Sequence, residues 1–261
     1  MDSRQHTPSR SARWRGMAEH IVRQGSASVA ELAESFGVSV MTVHRDLDEL
    51  ERQGMVRKVR GGATAQASNV WESNIAYRLQ AHTAEKDAIA RVVAAQIEPG
   101  SSIMLDDSTT ALAVARHLSE LAPLTVVTNF LEAIRLLAGI PDIRLIALGG
   151  EYHASHDSFL GLGCVDAAEA VSTDVVVVST SAVSDQYAFH QEQEIVLVKR
   201  AMLRSGTRRI LAVDGSKLAR VALHRVAPLD DFDVIVVDSG APADLLQRLH
   251  DRHRNVQVAH L

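Results

Sequence analysis

The sequence predicts an α/β protein in two unequal parts: a small helical unit with a short basic strand, then a larger α/β domain on a mostly parallel sheet. Three observations carry that prediction. Apolar residues recur at helical spacing through residues 13–50. After residue 100, short and almost wholly apolar runs alternate with helical segments, as strands buried on both faces do. The charge also changes sign: residues 1–70 hold 10 Lys/Arg against 8 Asp/Glu, and the remainder 17 against 24.

The elements follow in chain order. Trp14, Met17, Ala18, Ile21 and Val22 mark the buried face of a first helix, which Gly25 ends. Ser28 and Glu31 have capping-box spacing, so a second helix starts there and closes at Phe36-Gly37. Ser39 caps a third, with Val40, Val43, Leu47 and Leu50 as its inward stripe and Gly54 at its end. Residues 55–62, MVRKVRGG, alternate apolar and basic side chains before a glycine pair, as a short strand with a basic outer face does. Beyond the polar stretch 64–69, one long helix is expected over roughly residues 77–97, stopped by Pro99-Gly100. Strands are expected at SIMLD, LTVVT, IRLIAL, DVVVV, RILAV and DVIVV, with helices through His117 and Leu137, over residues 193–204 and near residues 243–250.

Hydrophobic residues at 46% and charged residues at 23% argue for a folded globule and against disorder. No apolar run approaches the ~20 residues of a membrane span, and the basic, polar N-terminus lacks a signal-peptide core. A cytoplasmic address is the expectation. Cys164 is the one cysteine, which removes any disulfide framework or CxxC site. His153, His156 and Asp157, or His190 with Glu192, follow no known metal spacing, so neither metal nor cofactor is expected.

The second and third helices, joined at Phe36-Gly37-Val38, have the size of a helix-turn-helix. At 100° per residue, Met41, Thr42 and Arg45 lie opposite the apolar stripe, with His44 on the flank. Arg45 suits guanine or a phosphate, Thr42 a base or phosphate oxygen, and Met41 a thymine methyl. His44 reads equally well as a plain surface residue. Arg57, Lys58 and Arg60 on the following strand are placed as a wing along phosphates.

In the larger domain, LDDSTT (residues 105–110) is a small-residue turn from a strand into a helix. Its backbone N–H groups, with the hydroxyls of Ser108, Thr109 and Thr110, suit an anion such as phosphate; helix capping alone explains them too. Asp106 and Asp107 suit ligand hydroxyls. Thr128-Asn129, Gly149-Gly150 and the DGSK turn, residues 214–217, lie at strand ends where open sheets bind ligands. Lys217 reads as a phosphate cation or as a solvated surface lysine.

The stretch SVAELAESFGVSVMTVHRDLDELERQGMVRKVRGGAT resembles the winged helix of the DeoR family of transcriptional repressors. Ser39, Thr42, Val43, Arg45, Asp46 and Leu47 match that family's S-x-x-T-[IV]-x-R-D-L core; His44 stands where arginine is common. The resemblance continues through Glu85-Lys86, Ile89-Ala90, LDDSTT, Thr128-Asn129, Gly149-Gly150, Lys199-Arg200, Asp214 and Lys217, and so covers nearly the whole chain. It departs at Asp107-Ser108, where the family usually has Ser-Gly. The resemblance implies a sensor domain similar to ribose-phosphate isomerase that takes phosphorylated sugars or related polyols. It also implies a homo-oligomer bound to double-stranded operator DNA as a repressor, with Ser39 among the DNA contacts.

The expected organisation is a flexible basic N-terminus (1–12), a winged helix-turn-helix (13–65), a linker (66–76) and an effector-sensing α/β domain (77–261). The expected function is repression of a carbohydrate catabolic operon, relieved by the metabolite. The alternative from another class is a sugar-phosphate isomerase using Asp106, Asp107 and Lys217 as acid–base groups.

Overall fold

The computed structural model describes residues 10–52, 55–65 and 75–261. Residues 1–9 of the expected basic N-terminus, Gly54, and residues 66–74 of the expected linker lie outside these. The chain divides into two compact units, Met1–Ala81 and His82–Leu261.

The first unit runs α1 (Arg10–Gln24), β1 (Ser26–Ser28), α2 (Val29–Phe36), α3 (Val40–Arg52), β2 (Val56–Val59), β3 (Gly62–Ala65) and α4 (Ile75–Gln80). The Ser28–Glu31 capping box is formed in both directions: Ser28 N–H donates to Glu31 at 2.7 Å and Glu31 N–H to Ser28 Oγ at 3.2 Å. Those bonds, the Ser28 backbone N–H foremost, hold the Glu31 carboxyl below its ordinary pKa. Gly37 ends α2 in the left-handed region, φ 62°, which turns the chain into α3. Met17, Ile21, Leu32, Val43, Leu47 and Leu50 are fully buried in one core.

The wing is a three-stranded antiparallel sheet in the order β1-β3-β2, where sequence periodicity indicated one strand. At its centre a Cβ on Gly62 would lie 2.3 Å from the Ala27 carbonyl oxygen, so only glycine lets β3 pass β1.

Two expectations change here. Val40, assigned to the inward stripe, is 52% exposed: it occupies the first turn of α3, ahead of the core contacts. The single helix expected over 77–97 is two, α4 and α5 (Thr83–Ala94), separated by His82 at φ 52°, a left-handed conformation that no α-helix continues through. Tyr77 and Ala81 are buried in the first unit's core, so α4 belongs there rather than at the start of the second domain.

After α5 the second unit runs β4 (Ser102–Leu105), α6 (Thr109–Ala115), β5 (Leu124–Thr128), α7 (Leu131–Leu137), β6 (Ile143–Ala147), β7 (Glu151–His153), β8 (Ser158–Leu160), α8 (Leu162–Glu169) and β9 (Thr173–Val178). It continues with β10 (Ala182–Val183), β11 (Tyr187–His190), α9 (Gln193–Ser205), β12 (Gly206–Val213), β13 (His224–Pro228), β14 (Val234–Asp238), α10 (Ala243–Arg252) and β15 (Val256–Ala259). Seven strands form one all-parallel sheet, ordered β15-β14-β12-β9-β4-β5-β6. Alternate side chains point to opposite faces. Ile103, Leu105, Val175, Val177, Ile210 and Ala212 pack under α5 and α6, while Met104, Val176, Val178, Leu211 and Val213 pack under α8, α9 and α10.

The chain steps outward from β4 to β6, then returns to β4's other side with β9. The strand order therefore reverses between β4 and β9, and open parallel sheets bind ligands beyond the carboxyl ends at such a point.

Candidate functional site

On α3, Met41, His44, Arg45 and Asp48 are exposed at spacings of three and four, so they form one outward row. Met41 is 62% exposed and has the exposed Val40 beside it. His44 stands on this face rather than its flank, and Thr42 is half-buried. The Thr42 N–H donates to Ser39 Oγ at 3.1 Å, and the two hydroxyl oxygens lie 2.9 Å apart. Ser39 and Thr42 thus shape the first turn of α3 by capping it.

Arg57 and Arg60 are exposed on the wing. Lys58 is not: it is half-buried, its ammonium pairs with Asp48, and its backbone N–H donates to Glu51 at 2.8 Å. A phosphate there competes with Asp48.

Asp46, which the resemblance marked without a role, points inward and is 2% exposed. It accepts Arg13 Nε at 2.7 Å, Arg13 Nη2 at 3.2 Å and Trp14 Nε1 at 2.6 Å. The hydrogen bond to Asp46 raises the Arg13 pKa above its ordinary value. This carboxylate ties α1 to the inner face of α3 and so orients the outward row.

In the second unit, the loops after β4, β5, β6 and β12 all reach the same sheet edge, as the sequence indicated. Their chemistry differs from expectation. Asp106 and Asp107 are buried and both accept from Lys199, on α9; the Asp107 contact is 3.1 Å. Asp106 also accepts the N–H of Ser108 at 3.1 Å and of Ser179 at 2.8 Å. Asp107 accepts the Ser158 hydroxyl at 3.1 Å. These carboxylates therefore hold the framework together, where ligand contact was expected of them.

Burial alone would lower the Lys199 pKa, but the charges of Asp106 and then Asp107 outweigh it and raise the pKa. Ser108 caps α6 through the Ala111 N–H at 3.0 Å, and Thr109 and Thr110 are buried in the seven-residue helix. The turn thus forms a helix cap.

Asn129 is fully buried; its Nδ2 donates to the Phe159 carbonyl at 2.9 Å and its Oδ1 has no partner. Gly149 is exposed. Gly150 has φ 140°, and a Cβ there would lie 2.4 Å from the Leu160 carbonyl oxygen, because β8 returns alongside. The DGSK turn places half-exposed Lys217 beyond β12. Buried Asp214 caps the turn through the Ser216 N–H at 3.1 Å. Burial pushes its pKa upward, but Lys217 first, then His82, the Ser216 bond and Lys86 pull it below the ordinary carboxyl range.

The histidines weighed as metal ligands face carboxylates or backbone. His156 Nε2 lies 2.8 Å from Glu192, His153 Nε2 3.5 Å from Glu194, and His190 Nδ1 accepts the Glu192 N–H at 3.2 Å. Glu192 is the N-cap residue of α9. Lys199 was within reach of the resemblance, yet no periodicity singles out a lysine on the buried face of a helix some 90 residues from its partners.

Two family models match the chain: the DeoR-like helix-turn-helix domain over residues 13–69 and the DeoR C terminal sensor domain over residues 81–239. The chain is 32% identical over 241 residues to an uncharacterized HTH-type transcriptional regulator, YgbI, of Escherichia coli (strain K12), covering 92% of this chain and 94% of that protein. It is also 32% identical over 250 residues to the glycerol-3-phosphate regulon repressor of the same organism, covering 94% of this chain and 98% of the repressor. A solved ribose 5 phosphate isomerase A from Neisseria gonorrhoeae is similar at 14% identity and a TM-score of 0.38, over 51% of this chain and 52% of that one. That likeness is too slight to bear on any residue.

Proposed function

The chain belongs to the DeoR family of transcriptional regulators, and from that premise we propose that it represses a carbohydrate catabolic operon and leaves the operator when a sugar-phosphate-like metabolite binds the second unit. The observation that carries the DNA-binding half is the exposed row Met41, His44 and Arg45 on α3, with Arg57 and Arg60 on the wing. In this reading the wing contributes phosphate contacts, which set register and most of the affinity, and α3 reads bases. Arg45 forks onto guanine, while Met41 and its neighbour Val40 pack against thymine methyls. A homo-oligomer presents two such helices to paired half-sites, and the chromosome places this work in the cytoplasm.

The second half rests on the switch-point edge and on relatives named for repressing the glycerol-3-phosphate regulon and the aga operon. The isomerase alternative loses ground, because Asp106 and Asp107 are buried against Lys199 and lack the access to substrate that acid–base groups need.

The test is binding of the purified chain to the DNA upstream of its own gene across a salt series, followed by addition of sugar phosphates. Salt-dependent binding that one of them reverses is the expected result. Turnover of pentose or hexose phosphates without such binding overturns the proposal. Arg45→Ala should cost operator affinity about 1–3 kcal/mol while leaving the melting temperature unchanged, since the side chain is exposed. Undiminished affinity in a gel-shift titration would remove Arg45 from the interface.

A further inference from the structure

We propose that the outer face of α8 and α9 is the surface on which two copies of the chain join, antiparallel about a twofold axis that runs through Leu162 and Leu197. This face rests on the homo-oligomer proposed above and gives it an interface.

The two helices lie side by side in one layer. Each leads into a strand of the parallel sheet, α8 into β9 and α9 into β12, so both run the same way. Arg204 of α9 pairs with Glu169 of α8, and both are exposed, which fixes the register of the helices on their outward side. Leu197 and Leu162 each stand seven residues earlier, two helical turns, and are therefore level with each other on that same side. Leu162 is 76% exposed and Leu197 46%. One exposed leucine means little on a protein surface. Two abreast, about one helix spacing of 8–10 Å apart, make an apolar ridge across the layer.

The charges along α9 say what covers the ridge. Its exposed residues are Gln193, Glu194, Leu197, Arg200 and Arg204, with Glu194 and Arg200 three positions to either side of Leu197. That acid–leucine–base row is its own complement. Turned end for end about Leu197, the helix sets Glu194 against the Arg200 of a second copy, Arg200 against the second Glu194, and Leu197 against itself, which is the reciprocity a twofold interface requires. Because Leu162 is level with Leu197, the same axis packs α8 on its own copy, and four helices meet antiparallel. An unrelated partner has no reason to match an acid and a base at equal distances from one leucine.

The charged groups are also held ready. Arg200 Nε donates to the Val226 carbonyl at 3.1 Å and Nη2 to the Arg225 carbonyl at 2.7 Å, which steadies the guanidinium on β13 and leaves Nη1 for an outside carboxylate. Glu194 keeps 61% of its side chain exposed beside His153.

The experiment is sedimentation of the full chain, without DNA, over a concentration series. Beside it run the Leu197→Asp and Glu194→Arg chains and the double variant Glu194→Arg/Arg200→Glu. Leu197→Asp should raise the dissociation constant of the dimer at least about thirtyfold, since one substitution sets two carboxylates face to face at the centre of the interface. Glu194→Arg should weaken association by about tenfold, and adding Arg200→Glu should restore it, because both pairs re-form with their signs exchanged. A Leu197→Cys chain oxidised with diamide should yield a disulfide-linked dimer and an Arg204→Cys chain should not, since only a residue near the axis meets its own copy. The native Cys164 is fully buried and adds no background.

Association of the Leu197→Asp chain as tight as that of the unsubstituted one overturns this surface and leaves the homo-oligomer reading standing. Failure of Leu197→Cys to cross-link in a chain that does associate has the same force, even where the Arg200→Glu chain does not fold. A chain that stays monomeric at every concentration and binds its operator as a monomer brings down the homo-oligomer reading, and this surface with it.

Discussion

Lys199→Met should destabilise the second unit by about 3–5 kcal/mol, the effect expected when one partner is taken from a buried charge cluster. Methionine nearly preserves the volume, so the loss is electrostatic and leaves little cavity. Two carboxylates at 1% and 3% exposure then face each other without a cation. Their backbone donors at Ser108 and Ser179 and the Ser158 hydroxyl remain, and these compensate only in part. Urea denaturation of the chain and the variant measures the difference. Adding Asp107→Asn to Lys199→Met should restore part of the loss, because it removes one of the stranded charges.

The sign of the pH dependence follows from the raised Lys199 pKa. Its contribution is complete below the unfolded lysine value of about 10.4 and disappears as pH rises through the higher folded value. The stability difference between chain and variant should therefore stay flat through neutral pH as far as Lys199 is concerned. A loss below about 1 kcal/mol would mean that the carboxylates are satisfied without the lysine.

Asp46→Ala should cost the first unit about 3 kcal/mol, near the lower end for a broken buried pair because Arg13 keeps some solvent access, 12% against 3% for Asp46. It leaves Arg13 and the Trp14 Nε1–H without their acceptor. In so small a unit this is a large share of total stability. Asp46 follows Arg45 on the same helix but is buried where Arg45 is exposed, so the two substitutions separate by measurement. Asp46→Ala should lower the first thermal transition and weaken binding to every DNA sequence as the fold is lost. Unchanged melting with weakened binding would instead put Asp46 at the DNA.

Much of the fold was legible in the sequence because its signals are local. Ser28 and Glu31 act across three residues, Gly37 at one, and the strands of the large sheet are continuous apolar runs. What escaped depends on partners far along the chain. The inward role of Asp46 needs Arg13 and Trp14, and Lys199 needs Asp106 and Asp107 across more than 90 residues. Val40 falls outside the stripe a helical wheel gives it, because a wheel places a residue by angle and ignores whether anything lies opposite the first turn. The break at His82 carries no Gly or Pro, so nothing local announced it. Strands β7, β8 and β10 have only two or three residues, too few for periodicity to register, and β11 (YAFH) and β13 (HRVAP) lack the continuous apolar run of the large sheet's strands. At the candidate site, the loops named from the sequence share one sheet edge, and several of their side chains are taken up by hydrogen bonds within the chain.

Cys164 lies fully buried beside this cluster; burial, and then the charge of Asp107, push its thiol up to about 12. Since thiolate is the reactive form, the native chain withholds its one cysteine from oxidants and alkylating reagents twice over, by access and by protonation. What reagent it does consume records excursions in which the α8 layer lifts from the sheet, with the frequency of opening as the rate. The chain carries its own clock for the breathing of the domain that receives the signal.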